Sequence, residues 1–238
     1  FFMPTSYASV VEGMLSGFVH VGVLGPYTYI IANGKDPNIE VFATYAKKKG
    51  HLQEEGPGYR GVLISKKGSK FTSIESLKGA TVGLTDPGST SGNLMPRVVF
   101  SKVIGDDLEK YFGKVVYTGS HELSSVAVVQ GKVDAAFVAS HRFDNVVNKG
   151  QAKLSGINIL WQSDPIPQDP FVYRNTVFQD GIGRCESVRK CPRSSLMSFS
   201  VLSLESQLFF SPLDRISAHF LSSRSTLSSY CELSSSFS

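Results

Sequence analysis

The sequence predicts an α/β fold for residues 1–176, because strand-like and helix-like segments alternate along this part of the chain. The strand-like segments are short apolar runs rich in β-branched residues, such as Thr81–Leu84. The helix-like segments carry apolar residues on one face, as Val11 and Met14 do within 7–17. This alternation predicts mixed, mostly parallel sheets with flanking helices on both faces.

The individual elements follow from the same patterns, and glycines mark the ends of several helices. The strands are predicted at 20–24, 41–45, 59–65, 81–84, 114–118, 133–138 and 157–162. The first of these strands is expected to be buried. The helices are predicted at 7–17, 27–33, 94–104, 123–130 and 141–148, with one helical turn at 74–79.

Composition and charge are those of a globular protein. Of the 238 residues, 41% are hydrophobic and 18% are charged, which provides enough apolar mass for a core. The net charge of +4 is mild and the basic residues are scattered, so no nucleic-acid partner is expected. The lysine run at 47–49 is interpreted as solvated surface. No apolar run has the length of a membrane span.

Both ends of the chain depart from the pattern of its middle. The chain begins at Phe1 without a signal sequence, which suggests a processed precursor or a fragment with a truncated N-terminus. Residues 185–238 are rich in serine, lack glycine and carry all three cysteines. The odd number and irregular spacing of these cysteines predict neither a zinc site nor a disulfide framework. We expect this Ser-rich tail to be non-native or poorly ordered.

The most informative local feature is a turn rich in Gly, Ser and Thr at 86–96, between a predicted strand and a predicted helix. Ser89, Thr90 and Ser91 follow one another in it, with a glycine on each side. The free N–H groups of a first helical turn and the helix dipole favour a bound anion, and hydroxyls add donors. An ordinary helix cap would use the same residue types. The turn has neither the Lys of a P-loop nor, at Thr90, the Ser of a nucleophile elbow.

Several further motifs occur in a fixed order along the chain. They are Tyr-Ala-Ser-Val-Val-Glu-Gly-Met at 7–14, Val-Leu-Gly-Pro at 23–26, Ser-Leu-Lys-Gly at 76–79, Asp-Pro-Gly-Ser-Thr-Ser-Gly at 86–92, Gly-Ser-His-Glu at 119–122, Gly-Lys-Val-Asp-Ala at 131–135 and Pro-Ile-Pro-Gln-Asp-Pro at 165–170. In this order they resemble the phosphate-, phosphite- and phosphonate-binding periplasmic proteins of ABC transporters. The resemblance covers about residues 1–176.

The resemblance implies a two-lobed type 2 periplasmic binding protein, with its ligand in a cleft that closes between the lobes. It places the first lobe at 1–74 plus 168–184, and the second, anion-binding lobe at 75–167. Family members have a strand and a helix before the point where this chain begins, and their C-terminal part returns to the first lobe. The first lobe of this chain is therefore expected to be incomplete.

The resemblance also implies a function. The chain would be a solute-binding component that captures a phosphonate, phosphite or phosphate and delivers it to the ABC permease in the membrane. It would perform no chemistry and would need no cofactor and no metal. A periplasmic or membrane-tethered extracytoplasmic location and a monomeric state are expected.

Matches to the family's motifs give the first candidate ligand-binding residues. Ser89, Thr90 and Ser91 match the anion-binding turn and are expected to hold the oxyanion. His121 matches a ligand position, where it would donate a hydrogen bond that protonation would strengthen. Without the resemblance, His121 would better fit a surface residue that caps the helix at Leu123.

Four further candidates follow from the resemblance. Tyr7 and Tyr59 match aromatic positions that face the cleft, although either could be a packing residue. Asp169 matches a position where an acidic group can meet the ammonium of an aminoalkyl phosphonate, although an Asp before Pro is also a common turn. His141 stands where aminophosphonate binders are expected to have a second carboxylate, and a histidine is a poorer partner for an ammonium. This difference favours a simpler anion, such as methylphosphonate, phosphite or phosphate.

Other classes of function stay open from the sequence. A phosphate-ester enzyme could use Ser91 and His121 as a nucleophile and base. The same fold also serves as a ligand-sensing domain in regulators and receptor kinases. The Ser-rich tail is also compatible with a damaged, non-functional product.

Overall fold

The computed structural model describes residues 4–176. The predicted tail at 185–238 and the predicted end of the first lobe at 177–184 lie outside the described residues. The strands are β1 (Val21–Val23), β2 (Ile39–Ala43), β3 (Gly58–Tyr59), β4 (Gly61–Lys66), β5 (Thr81–Leu84), β6 (Lys114–Tyr117), β7 (Ala135–Ala139), β8 (Ile157–Gln162), β9 (Ile166–Pro167) and β10 (Phe171–Arg174). The helices are α1 (Tyr7–Leu15), α2 (Pro26–Lys35), α3 (Ser101–Ile104), α4 (Leu108–Tyr111), α5 (His121–Val129) and α6 (Ser140–Asn148).

The smaller sheet is built from the two ends of the described chain. Its strands pair antiparallel in the order β1-β10-β2, so the last strand lies between the first two. The apolar face of α1 packs on this sheet, where Met14, Ile39 and Val172 are fully buried. Ser6 and Ser9 form a reciprocal capping box that begins α1.

The larger sheet has five strands in the order β6-β5-β7-β4-β8. β5 runs parallel to β6 and β7, whereas β4 runs antiparallel to β7 and β8. The short strands β3 and β9 pair antiparallel with each other. Each of these two strands lies, along the chain, between a strand of the smaller sheet and a strand of the larger one. The chain therefore crosses between the sheets twice, and the two crossings pair side by side.

Two apolar layers cover the larger sheet. Its central strand β7 is buried at every position, as expected for a strand with both faces covered. Phe137 packs on one side against Phe100, with ring centroids 5.0 Å apart. Val138 packs on the other side in a cluster with Phe143. The period-2 alternation of a strand thus divides β7 between two cores.

No helix within residues 4–176 is long and apolar enough to cross a membrane.

The structure confirms the mixed α/β fold, and β5 and β8 have the predicted bounds. The expected predominance of parallel pairing is wrong, because only the two pairs that β5 forms are parallel among the described strands. The first strand is not buried as expected, since Val21 is 59% and Val23 is 45% exposed. β1 is an edge strand. Of its three residues, only Gly22 lies on the inner face, where a Cβ would contact the core residue Met14.

The helix predicted at 94–104 begins earlier and is wound differently. Two π-helical turns, Thr90–Leu94 and Pro96–Phe100, precede α3. Pro96 has no N–H to donate, and the carbonyl of Gly92 instead accepts a hydrogen bond from Thr85 N–H at 3.0 Å. The α-helical hydrogen bond from the N–H of residue 96 to the Gly92 carbonyl is therefore absent. Its absence favours the wider π-helical turn.

The predicted boundary after residue 74 also differs from the observed sheets. β4 pairs with β7 and β8, so it belongs to the larger sheet rather than to the smaller one. The first crossing between the sheets therefore precedes Gly61. The apolar run of β4 would suit a buried strand in either half, so its sequence carries no signal for the assignment.

Two hydrogen bonds join the start of α2, beside the smaller sheet, to the turn that follows β5. Tyr27 N–H donates to Thr90 Oγ1 at 3.0 Å, and Thr28 Oγ1 donates to the Gly88 carbonyl at 2.8 Å. Thr28 is only 1% exposed, so its bond is shielded from water. These bonds link α2, which lies beside the smaller sheet, to the Ser-Thr-Ser turn, which follows β5 of the larger sheet.

We predict that Thr28→Val lowers the free energy of unfolding by about 1–3 kcal/mol, because the Gly88 carbonyl loses its hydroxyl donor while the side-chain shape is kept. Urea unfolding followed by circular dichroism measures the change. Thr72→Val makes the same chemical change at an exposed residue and should have little effect. Equal stability of the two variants would contradict a stabilising role for this bond.

Candidate anion-binding site

A pocket lies where elements of the two sheets meet. It is open to solvent on one side. Its walls carry hydroxyl, imidazole, guanidinium and carboxylate groups. The residues that line it are Tyr7, Gly25, Tyr59, Ser89, Thr90, His121, Ala139, His141, Arg142 and Asp169.

Several helices begin at this pocket. Gly25 directly precedes α2, Ala139 directly precedes α6, and His121 is the first residue of α5. The first π-helical turn begins at Thr90. The first N–H groups of a helix have no partner within it, and its dipole places partial positive charge at that end. The pocket therefore combines several positive helix ends, which favours a bound anion.

The Ser-Thr-Ser turn depends on two close approaches of the backbone. Ser89 Oγ accepts a hydrogen bond from Gly92 N–H at 3.1 Å, so the Ser89 hydroxyl proton is available to another acceptor. A Cβ on Gly88 would lie 2.8 Å from Tyr7 Cβ, and a Cβ on Gly92 would overlap with Thr85 Oγ1. Both positions therefore need glycine.

The two residues after Ser89 are placed differently. Thr90 lines the pocket, and its Oγ1 accepts the hydrogen bond from Tyr27 N–H. Ser91 does not line the pocket. Its Oγ is buried without a well-aligned hydrogen-bond partner and lies near the Tyr59 hydroxyl. Ser91 is thus a buried neighbour of Tyr59 outside the pocket lining.

A backbone amide holds His121 in one tautomer. Ala139 N–H donates to Nδ1 at 3.1 Å, and Thr85 Oγ1 lies 3.0 Å from the same nitrogen. Because Nδ1 accepts, the proton of the neutral ring is on Nε2, which lies 3.4 Å from Ser89 Oγ. Burial and then the charge of Arg142 lower the pKa of His121 to about 3. His121 is thus a neutral donor, without the strengthening that protonation would give.

His141 is buried beside the pocket with both ring nitrogens unpaired among the described residues. Its side chain is 5% exposed, and its ring meets Tyr59 edge-on with centroids 4.9 Å apart. Burial and then the charge of Arg142 lower the pKa of His141 well below its ordinary value. Because an unpaired buried imidazole is unfavourable, this arrangement points to a polar ligand.

Tyr7 and Tyr59 present neutral hydroxyls to the pocket. Burial and then the negative charge of Asp169 raise the pKa of both phenols. The Tyr7 hydroxyl lies near Ser89, and the Tyr59 hydroxyl lies near Ser91. Each phenol can therefore donate one hydrogen bond to an anion while its ring forms part of the wall.

Arg142 is a pocket residue that the sequence prediction missed. It follows His141 in the first turn of α6 and lines the pocket. Its Nη2 lies 3.8 Å from Asp169 Oδ2. Burial raises the pKa of Asp169, while the charges of Arg142 and Lys47 oppose this shift. A basic residue directly after a strand-to-helix turn, next to a candidate histidine, was the available signal in the sequence.

Asp144, the acidic residue that follows His141 in the sequence, has a structural role. Its carboxylate accepts hydrogen bonds from Leu52 N–H at 2.8 Å and from Gln53 N–H at 3.0 Å. It does not line the pocket. Asp144 therefore anchors the loop that contains Leu52 and Gln53 to α6, and its carboxylate does not face the pocket.

The structure brings seven of the eight predicted ligand-binding residues to one pocket, all except Ser91. Their contact with a ligand stays a prediction. Within residues 4–176, no three His, Cys, Asp or Glu residues are grouped in a way that could hold a metal ion.

The structure aligns with the binding protein component of an ABC phosphonate transporter from Pseudomonas aeruginosa with a TM-score of 0.66 and 27% identity. The alignment covers 83% of this chain and 61% of that chain. The fold class is therefore the predicted one, that of type 2 periplasmic binding proteins.

Curated relatives agree with this class. The chain is 31% identical over 182 residues to the phosphonates-binding periplasmic protein of Escherichia coli, covering 74% of this chain and 51% of the relative. It is 26% identical over 195 residues to the phosphate-import protein PhnD of Mycolicibacterium smegmatis, covering 79% of this chain and 60% of the relative. The chain thus spans only about half to three-fifths of these relatives.

The family itself is established by a match over residues 1–184 to the proteins described as "ABC transporter, phosphonate, periplasmic substrate-binding protein". The chain belongs to this family. The resemblance found in the sequence motifs is thereby confirmed.

We predict that acid destabilises the fold through its buried neutral histidines. Folding lowers the pKa of His121 from 6.5 to about 3, so below pH 6.5 the unfolded chain binds a proton that the folded chain does not. The contribution to stability is complete above pH 6.5 and is lost as the pH falls toward 3, by about 1.4 kcal/mol per pH unit. Urea unfolding at a series of pH values measures the slope.

Two variants distinguish this effect from general acid denaturation. His121→Asn should reduce the dependence of the free energy of unfolding on pH, because the titrating ring is gone. His51→Asn makes the same change at an exposed histidine outside the pocket and serves as the control. A slope that His121→Asn leaves unchanged would show that this ring does not carry the effect.

Proposed function

We propose that this chain is the solute-binding component of an ABC transporter, and that it captures a phosphonate, phosphite or phosphate and delivers it to the membrane permease. One observation carries the proposal. Helix N-termini and neutral polar side chains converge on a single pocket, where the buried imidazole of His141 has no partner among the described residues. This combination suits an oxyanion that is bound without a metal.

The donors available to such an anion come from separate elements. The Nε2–H of His121 and the hydroxyl of Ser89 come from neighbouring parts of the larger sheet. The hydroxyls of Tyr7 and Tyr59 come from α1 and from the first crossing between the sheets. His141 can add one donor and one acceptor. Because several of these groups are already held by other contacts, little ordering is needed when a ligand binds.

The geometry gives less support to the enzyme alternative. A Ser–His pair needs a histidine nitrogen that accepts the serine proton. Ala139 N–H occupies Nδ1 of His121, so Nε2 carries the proton and faces Ser89 as a donor. Ser91, the serine considered from the sequence, lies near the Tyr59 hydroxyl and does not line the pocket. A transport role is also the one described for the family.

The proposed working cycle is closure over the ligand followed by delivery. The pocket takes Tyr7 and Gly25 from the elements beside the smaller sheet, and Ser89 and His121 from those of the larger sheet. A ligand bound between them stabilises the closed arrangement by contacting both sides. In the proposed setting the protein acts outside the cytoplasmic membrane, as a monomer, and docks on its permease. The two lobes are assigned to the two sheets, with the crossings at β3 and β9 as the hinge.

Isothermal titration of the full chain against phosphate, phosphite and methylphosphonate tests the proposal. We expect tight binding of at least one of them. His141→Phe should weaken that binding by about tenfold or more, because it removes ring nitrogens that face the ligand. The same variant should melt at the same temperature or higher, because it replaces an unpaired buried polar ring with an apolar one. Loss of affinity without loss of stability identifies a ligand-binding role.

His51→Phe provides the matched control, since it makes the same change at an exposed histidine outside the pocket. Its affinity should equal that of the parent chain. If the cooperatively folded parent chain binds none of the three anions, the proposed function is wrong. If His141→Phe binds as tightly as the parent chain, the pocket assignment is wrong.

A further inference from the structure

The charges in the pocket carry a second inference, which rests on the proposed function. Asp169 is the only carboxylate among the residues that line the pocket. Its Oδ2 lies 3.8 Å from Arg142 Nη2, and Lys47 and Tyr45 also stabilise its ionised form. Burial still raises the pKa of Asp169, but its negative charge already has partners within the protein.

The remaining polar groups of the lining do not supply another negative charge. Tyr7 and Tyr59 keep their protons, because burial raises the pKa of each phenol. His121 and His141 are uncharged for the opposite reason, since burial lowers the pKa of each ring. Asp144 is directed away, toward the backbone of Leu52 and Gln53. A cationic group on a ligand would find no unpaired carboxylate here.

We infer that Arg142 determines specificity: by pairing with Asp169 it excludes ligands that carry an ammonium group, so that the pocket selects phosphorus oxyanions with small uncharged substituents or none. The pairing acts in two ways. It occupies the carboxylate that an ammonium would need, and it places a like charge beside the position that the ammonium would take.

The test compares two ligands that share the oxyanion head. Isothermal titration of the full chain should show that methylphosphonate binds at least about tenfold more tightly than 2-aminoethylphosphonate, the size expected for one unfavourable charge contact in a partly buried site. Arg142→Met keeps much of the apolar stem and removes the charge. The ratio of the two dissociation constants should then move by about tenfold or more in favour of 2-aminoethylphosphonate.

The ratio is the informative quantity, because Arg142 lines the pocket and its loss can weaken every anion equally. The double variant Arg142→Met/Asp169→Asn should lose the gain for 2-aminoethylphosphonate, since the freed carboxylate is gone. Lys149→Met removes a charge from the far end of α6, where Lys149 pairs with Glu122, and should leave the ratio unchanged. Arg142→Gln serves in place of Arg142→Met if the latter fails to fold by circular dichroism.

The possible outcomes separate this inference from the proposed function. If the parent chain binds both phosphonates equally well, the function stands and the specificity inference is wrong. If it prefers methylphosphonate but Arg142→Met and Arg142→Gln leave the ratio unchanged, Arg142 does not set specificity. If the folded parent chain binds no phosphorus oxyanion, the proposed function fails and the inference fails with it. A changed ratio that reverts in the double variant supports it.

Discussion

The hydrogen bond from Ala139 N–H to His121 Nδ1 is the contact around which the pocket is arranged. Its donor is a main-chain group at the end of β7, so the strand fixes the position of the donor. β5 lies beside β7 in parallel, and therefore brings Thr85 to the same ring. A side chain on Gly92 would meet Thr85 Oγ1 and His121 Cε1. The orientation of one imidazole thus constrains two strand ends and the turn that follows β5.

Local patterns predicted most elements of the fold but not how they pair. The bounds of β5 and β8 follow from short apolar runs with clear turn signals. The direction and sheet of β4 depend on β7 and β8, which come much later in the chain. The sequence shows Pro96, but it does not show that the Gly92 carbonyl accepts a hydrogen bond from Thr85 N–H. The π-helical turns could not be predicted without that bond. Long-range partners, and not propensity, decided these features.

The pocket was predictable where motifs coincide with strand ends, and obscure where it depends on contacts between distant segments. Ser89 and His121 each follow a strand of the larger sheet, so their convergence could be expected. Arg142 was missed because a basic residue in a first helical turn usually faces solvent, and only the returning chain brings Asp169 to it. The neutral state of His121 depends on the amide of Ala139, which the sequence does not show.

The position of β10 between β1 and β2 has a consequence for synthesis on the ribosome. The strands of the larger sheet are contiguous in sequence and can assemble once β8 has emerged. The smaller sheet must wait for β10, whose Tyr173 bonds to Glu40 across 133 residues. Until then β1 and β2 have no strand between them, and Asp169 is not in place beside Tyr7. The Ser-Thr-Ser turn can therefore form early during synthesis. The pocket is complete only when β10, the last described strand, has been added.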